Sequence, residues 1–120
     1  MPVKHLDLCI TATDGLFDNV FPAEICSIVN QSKLTEEIND IRYINKKEVC
    51  PKWSESITKE LNVLANEMVQ ITQIAASSYK RISPFTMSAR HYGLRMPGGK
   101  MDDITIIVSL VYNKPPPTTQ

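Results

Sequence analysis

The stretch TATDGLFDNV, Thr11 to Val20, runs a strand-like segment into an Asp-Gly pair and resumes at once with Leu-Phe-Asp-Asn. A carboxylate at the end of a buried strand is costly unless something positive sits beside it. Asp14 is therefore either turn chemistry or one side of a cation site. Its surroundings decide between them.

Upstream, His5 to Thr13 (HLDLCITAT) alternates apolar and polar residues of β-compatible types, which predicts a strand ended by Asp14-Gly15. This strand reads as central, yet it comes almost at the start of the chain. Downstream, Pro22 suits the first turn of a helix and Glu24 complements a helix N-terminus. Ala23 to Gln31 then reads as a short helix with Ile25, Ile28 and Val29 on one face. Residues 32–53 are polar and mixed, and read as a loop or insert with a helical turn around Thr35 to Ile41. Ser54 or Ser56 could cap the next element. From Ile57 the apolar positions Leu61, Leu64, Met68, Ile71 and Ala75 follow at steps of 4, 3, 4, 3, 4, an amphipathic helix reaching about Ser78. Its stripe is too short and too weakly flanked by charge for a coiled coil.

Tyr79 to Met101 reads as irregular. Then DDITIIVSLVY, Asp102 to Tyr112, places Ile104, Ile106, Val108 and Leu110 on one face and Thr105, Ile107, Ser109 and Val111 on the other. Apolar groups on both faces predict a strand covered on both sides. KPPPTTQ, residues 114–120, reads as a Pro-rich disordered tail.

Composition excludes several classes. The chain has 120 residues, 42% hydrophobic and 22% charged, enough for one modest domain. Thirteen basic residues balance thirteen acidic ones, so no global field favours nucleic acid or an anionic membrane. No apolar run approaches the ~20 residues of a membrane span, and MPVKHLDLCI lacks the features of a signal peptide. Cys9, Cys26 and Cys50 form no CxxC pair and read as reduced thiols of an intracellular protein, Cys9 and Cys26 as core packing. The compartment is not specified.

Asp14-Gly15 alone is most often an ordinary turn. Asp102-Asp103 alone is most often a solvated pair. Together, each is an Asp at a strand terminus with Gly nearby, and antiparallel pairing of the two strands would bring Asp14 and Asp102 together. Converging carboxylates repel unless a proton or cation separates them. An all-oxygen set without His or Cys suits Mg²⁺ or Mn²⁺.

The paired blocks ATDGLFDNV and SPF…GLRMPGGKMDDITIIVSLV resemble the C-terminal part of the catalytic domain of PPM-type protein serine/threonine phosphatases, the metal-dependent type 2C family. The resemblance runs in order over nearly the whole chain. It implies an α+β fold, part of a four-layer α-β-β-α sandwich with antiparallel sheets, residues 1–113 being an incomplete domain. It also implies that Asp14 and Asp102 are metal ligands in a two-metal centre, Mg²⁺ or Mn²⁺, that activates water against a phosphoserine or phosphothreonine. Asp103 is then supporting, and the Thr105 hydroxyl bonds the acid-bearing turn.

Family domains are about twice as long, and their first half supplies a bridging Asp, an acidic helper and a phosphate-binding Arg. The expectation is accordingly a fragment of the full domain, with a phosphoprotein as substrate and the N-terminal half as a further partner. No nucleic acid or membrane is implied. The alternative is a catalytically inactive remnant acting as a partner-binding or regulatory module. Weaker candidates are His91 as a general acid and Arg90, Arg95 and Lys100 as cations steering phosphate, with loop or solvated roles the commoner explanation. Trp53 beside Pro51 reads as a packing anchor.

Overall fold

A computed structural model describes residues 2–43 and 51–113, those at 42, 43 and 51–54 for their backbone only. The tail at 114–120, Cys50 and the Trp53 side chain lie outside the described residues. In order, the elements are β1 (Leu8–Ala12), α1 (Asp14–Phe17), α2 (Pro22–Asn30), α3 (Lys33–Tyr43), α4 (Pro51–Ala76), α5 (Pro84–His91) and β2 (Ile106–Leu110).

β1 and β2 pair antiparallel, with Leu8 opposite Leu110, Ile10 opposite Val108 and Ala12 opposite Ile106. The period-two alternation puts these six on one face, packed against the buried helical core of Leu16, Val20, Leu34, Ile38, Ile57, Leu64 and Met68. Among the described residues, helices cover only that face. Ile107 is 55% exposed, and Thr11 and Ser109 also face outward, so β2 is not covered on both sides as its composition suggested. Both strands are also shorter than their patterns. β1 starts only at Leu8, after a turn at His5 and Leu6, and β2 only at Ile106, after the loop that follows Gly98 and Gly99, although single backbone hydrogen bonds carry the pairing a step further at both ends.

Asp14-Gly15 ends β1 as expected, but it opens a single helical turn rather than a plain turn. α2 begins at Pro22, and the Glu24 carboxylate accepts the Phe21 N–H at 3.0 Å, satisfying an otherwise orphan donor. Cys26 is exposed and Cys9 is half-buried on the outer sheet side, so neither is core packing. α2 buries the neighbouring Ile25 instead. The segment read as an insert carries α3, eleven residues long, which buries Leu34, Ile38 and Ile41 at helical spacing. Its many charges masked that stripe.

α4 is 26 residues long and starts at Pro51, ahead of the expected serine caps. Ser56 lies within it and donates to Glu37 Oε1 at 2.7 Å, linking α4 to α3. Ile57, Leu64, Met68 and Ala75 are buried as expected, but Ile71 is 39% exposed and Thr72 is fully buried in its stead. A 3.6-residue period carries the buried line from Met68 to Thr72, where the hydroxyl donates back to the Met68 carbonyl at 2.6 Å.

The region expected to be irregular contains α5. Ser83 caps it by accepting the Thr86 N–H at 3.1 Å, and Pro84 sits in its first turn. Ser83-Pro84 was the one local hint, a capping residue ahead of a proline, with too short a pattern behind it to define a helix.

Candidate metal centre

The strand pairing positions the acids. Past Ala12, Thr13 continues the ladder: its N–H donates to the Thr105 carbonyl at 3.1 Å. Its hydroxyl donates to the Asp103 carbonyl at 3.0 Å and accepts the Thr105 N–H at 3.1 Å. Thr105 therefore meets the acid-bearing turn through its main chain, and the bridging hydroxyl is that of Thr13. With β1 and β2 so tied, α1 starts beside the segment leading into β2.

Gly15 makes the close approach possible. A Cβ there would stand 2.2 Å from the Asp103 carbonyl oxygen, a separation no side chain tolerates. On the far end of α1, Asn19 is wholly buried. Its Nδ2 donates to the carbonyls of Gly15 and Lys100, both at 2.8 Å, and its Oδ1 accepts the Lys100 N–H at 2.7 Å. Gly98 and Gly99 let the same loop lie on the end of α4. Gly98 has φ +91°, and a Cβ on Gly99 would be 2.1 Å from the Ala75 carbonyl oxygen. The Ser83 and Thr86 hydroxyls both donate to the Gly98 carbonyl.

The result is a shared rim. One carboxylate oxygen each from Asp14, Asp18 and Asp102 lies within 4.8 Å of the others. The structure thus brings together Asp14 and Asp102, the two expected residues, and adds Asp18, one helical turn from Asp14. Asp103 is not in this group; it takes part through its carbonyl, and its N–H donates to Asp102 Oδ1 at 2.9 Å. The sequence held a signal for Asp18 in the i, i+4 spacing within DGLFD. Asn19 carried none beyond its place in the same block.

Of the three cations weighed as phosphate-steering groups, Lys100 reaches the rim. Its Nζ is 3.4 Å from Asp18 Oδ2 and 3.7 Å from Asp102 Oδ2, and it lies 5.3 Å from the centre of the Phe85 ring. The hydrogen bond and charge of Asp18, aided by Asp102 and Asp14, raise the Lys100 pKa above that of an ordinary lysine. Arg90 and Arg95 are exposed, and His91, in the last turn of α5, stacks edge-on against Tyr92 at 5.6 Å. Arg81 was not anticipated. Its Nε donates to the Asn19 carbonyl at 3.1 Å and its guanidinium pairs with Glu24, tying α2 and the α4–α5 connection to the end of α1.

Beside the acids, Gln73, Ser77, Met101, Asp102 and Asp103 line a groove of about 410 Å³. The donor set fits a hard divalent ion: three carboxylates within reach of one another, with neither sulfur nor imidazole among them.

The chain is 32% identical over 105 residues to "Probable protein phosphatase 2C 55" of Arabidopsis thaliana, covering 88% of this chain and 18% of that protein. It is likewise 32% identical over 105 residues to the protein phosphatase PTC7 homolog of Danio rerio, covering 88% of this chain and 28% of that one. The chain is a relative of the 2C-type protein phosphatases. It spans less than a third of the length of either curated relative. The X-ray structure of the photosystem II phosphatase PBCP superposes with a TM-score of 0.52 at 23% identity, over 92% of this chain and 38% of that one, which shows a shared fold. No family model matches the chain.

Proposed function

We propose that this chain forms one side of a metal-dependent phosphatase centre acting on phosphoserine or phosphothreonine in proteins. The observation that carries the reading is the meeting of Asp14, Asp18 and Asp102 at one rim, from segments more than eighty residues apart. Its relatives' names support the reaction class. In the complete arrangement this chain would supply one sheet with its covering helices to a four-layer α-β-β-α sandwich, and a second segment would complete a two-metal Mg²⁺ or Mn²⁺ centre.

Asp14, Asp102 and Asp18 would hold the ion through carboxylate oxygens. When bound, a divalent ion there acidifies water and offsets charge on the phosphoryl group. The chain's own residues supply the rest. Thr13 and Gly15 keep the two acid-bearing segments in register, and Lys100 offsets part of the carboxylate charge. The groove beside Asp102 gives a substrate side chain room next to the acids.

The test is Mn²⁺ calorimetry together with turnover of a phosphopeptide, on the chain alone and mixed with the N-terminal half of a related phosphatase. Asp14→Asn and Asp102→Asn should each abolish Mn²⁺ binding and any metal-dependent turnover. Mn²⁺ binding equal in wild type and both variants would end this reading. Metal binding without turnover, even in the mixture, would favour a regulatory binding module.

A further inference from the structure

We propose that Asn19 is the positioning residue of the carboxylate rim, the group that sets how far Asp14 and Asp18 stand from Asp102. The inference rests on the metal-centre reading above and extends it to a residue whose side chain hydrogen-bonds main-chain groups of Gly15 and Lys100.

Three observations carry it. First, Asn19 is wholly buried, and both ends of its amide are engaged: two donations and one acceptance, each at 2.7 or 2.8 Å. Second, its partners are the residues flanking the acids. Gly15 follows Asp14 directly, and Lys100, held at both its N–H and its carbonyl, precedes Asp102 by two. Third, the hydrogen bonds of Thr13 grip the segment beyond Asp102, at Asp103 and Thr105. Thr13 and Asn19 therefore bracket Asp102 from both sides. No backbone ladder joins α1 to Lys100, so the Asn19 amide is what replaces it there.

The chemistry of the amide is specific. An aspartate in this place would turn the two donations into repulsion between its oxygens and two carbonyls. A leucine would fill the space and leave two carbonyls and an N–H without partners. Groups that orient metal ligands from behind typically alter metal affinity by roughly 10- to 100-fold when removed, without contacting the ion.

The experiment compares wild type, Asn19→Leu and the milder Asn19→Ser, which keeps one hydroxyl donor. Leu34→Ala serves as a control that loosens the core at α3. Two readouts are taken on each: Mn²⁺ affinity by calorimetry and amide hydrogen exchange at Lys100. Asn19→Leu should weaken Mn²⁺ binding at least tenfold and Asn19→Ser by less, with Lys100 exchange rising in the same order. Leu34→Ala should leave Mn²⁺ affinity within twofold of wild type. Unchanged Mn²⁺ affinity in both Asn19 variants would overturn the positioning role and leave the metal reading standing. Absence of Mn²⁺ binding in wild type would overturn both. If Asn19→Leu fails to fold, Asn19→Ser against Leu34→Ala decides.

Discussion

Gly15 sits where the tolerance for added atoms is smallest. With the Asp103 carbonyl 2.2 Å from where a Cβ would go, Gly15→Ala must push α1 off the loop before β2. The expected cost is roughly 3 kcal/mol or more, read by urea denaturation, since both contacting groups are backbone and cannot swing aside. Gly93, with φ +77° and open space around its missing Cβ, should pay only the strain of that backbone region, about 1 kcal/mol on replacement by Ala in the same assay. At this scale the sequence was partly readable. The proximity of Asp14 and Asp102 followed from two strands of opposite direction, each with an acid at the right end. Asn19 and Thr13 were not readable, because their partners are main-chain groups at Lys100 and Asp103, and nothing in the identity of those residues encodes their backbone atoms.

Elements differ in how firmly their sequence fixes them. α4 separates its faces cleanly: Leu64 and Met68 have almost no exposure, whereas Ile74 is 74% exposed. Leu64→Ala should cost roughly 2–5 kcal/mol, and Ile74→Ala should fall within about 0.5 kcal/mol of wild type, both by denaturant titration. α5 depends on its cap. Ser83→Ala removes the acceptor for the Thr86 N–H and a donor to the Gly98 carbonyl, and should cost about 1–2 kcal/mol. The same variant should raise hydrogen exchange in the first turn of α5. The apolar period of α4 was legible because it repeats over five turns. α3 and α5 were not: one has a stripe of three residues among charges, and the other is only eight residues long.

The whole molecule presents an unfinished sheet. Among the described residues, two strands form a ladder whose inner face is packed and whose outer face carries Ile107 and Thr11 in solvent, and no further strand pairs with either edge. Alone in solution, the chain should self-associate as its concentration rises, observed by sedimentation. Ile107→Lys should shift that association to higher concentration while leaving the thermal midpoint within a few degrees, since the side chain is already wet. A strictly monomeric wild type across the accessible range would contradict this. Outer-face coverage was misjudged from composition because an apolar residue marks what a strand can bury, not what this chain brings to bury it. The ladder has another consequence, in time rather than space. Its first strand leaves the ribosome long before its last, with five helices, α1 to α5, synthesised between them, so the three acids stay strangers until translation has passed β2. A nascent chain stalled before residue 106 would hold folded helices and no rim at all.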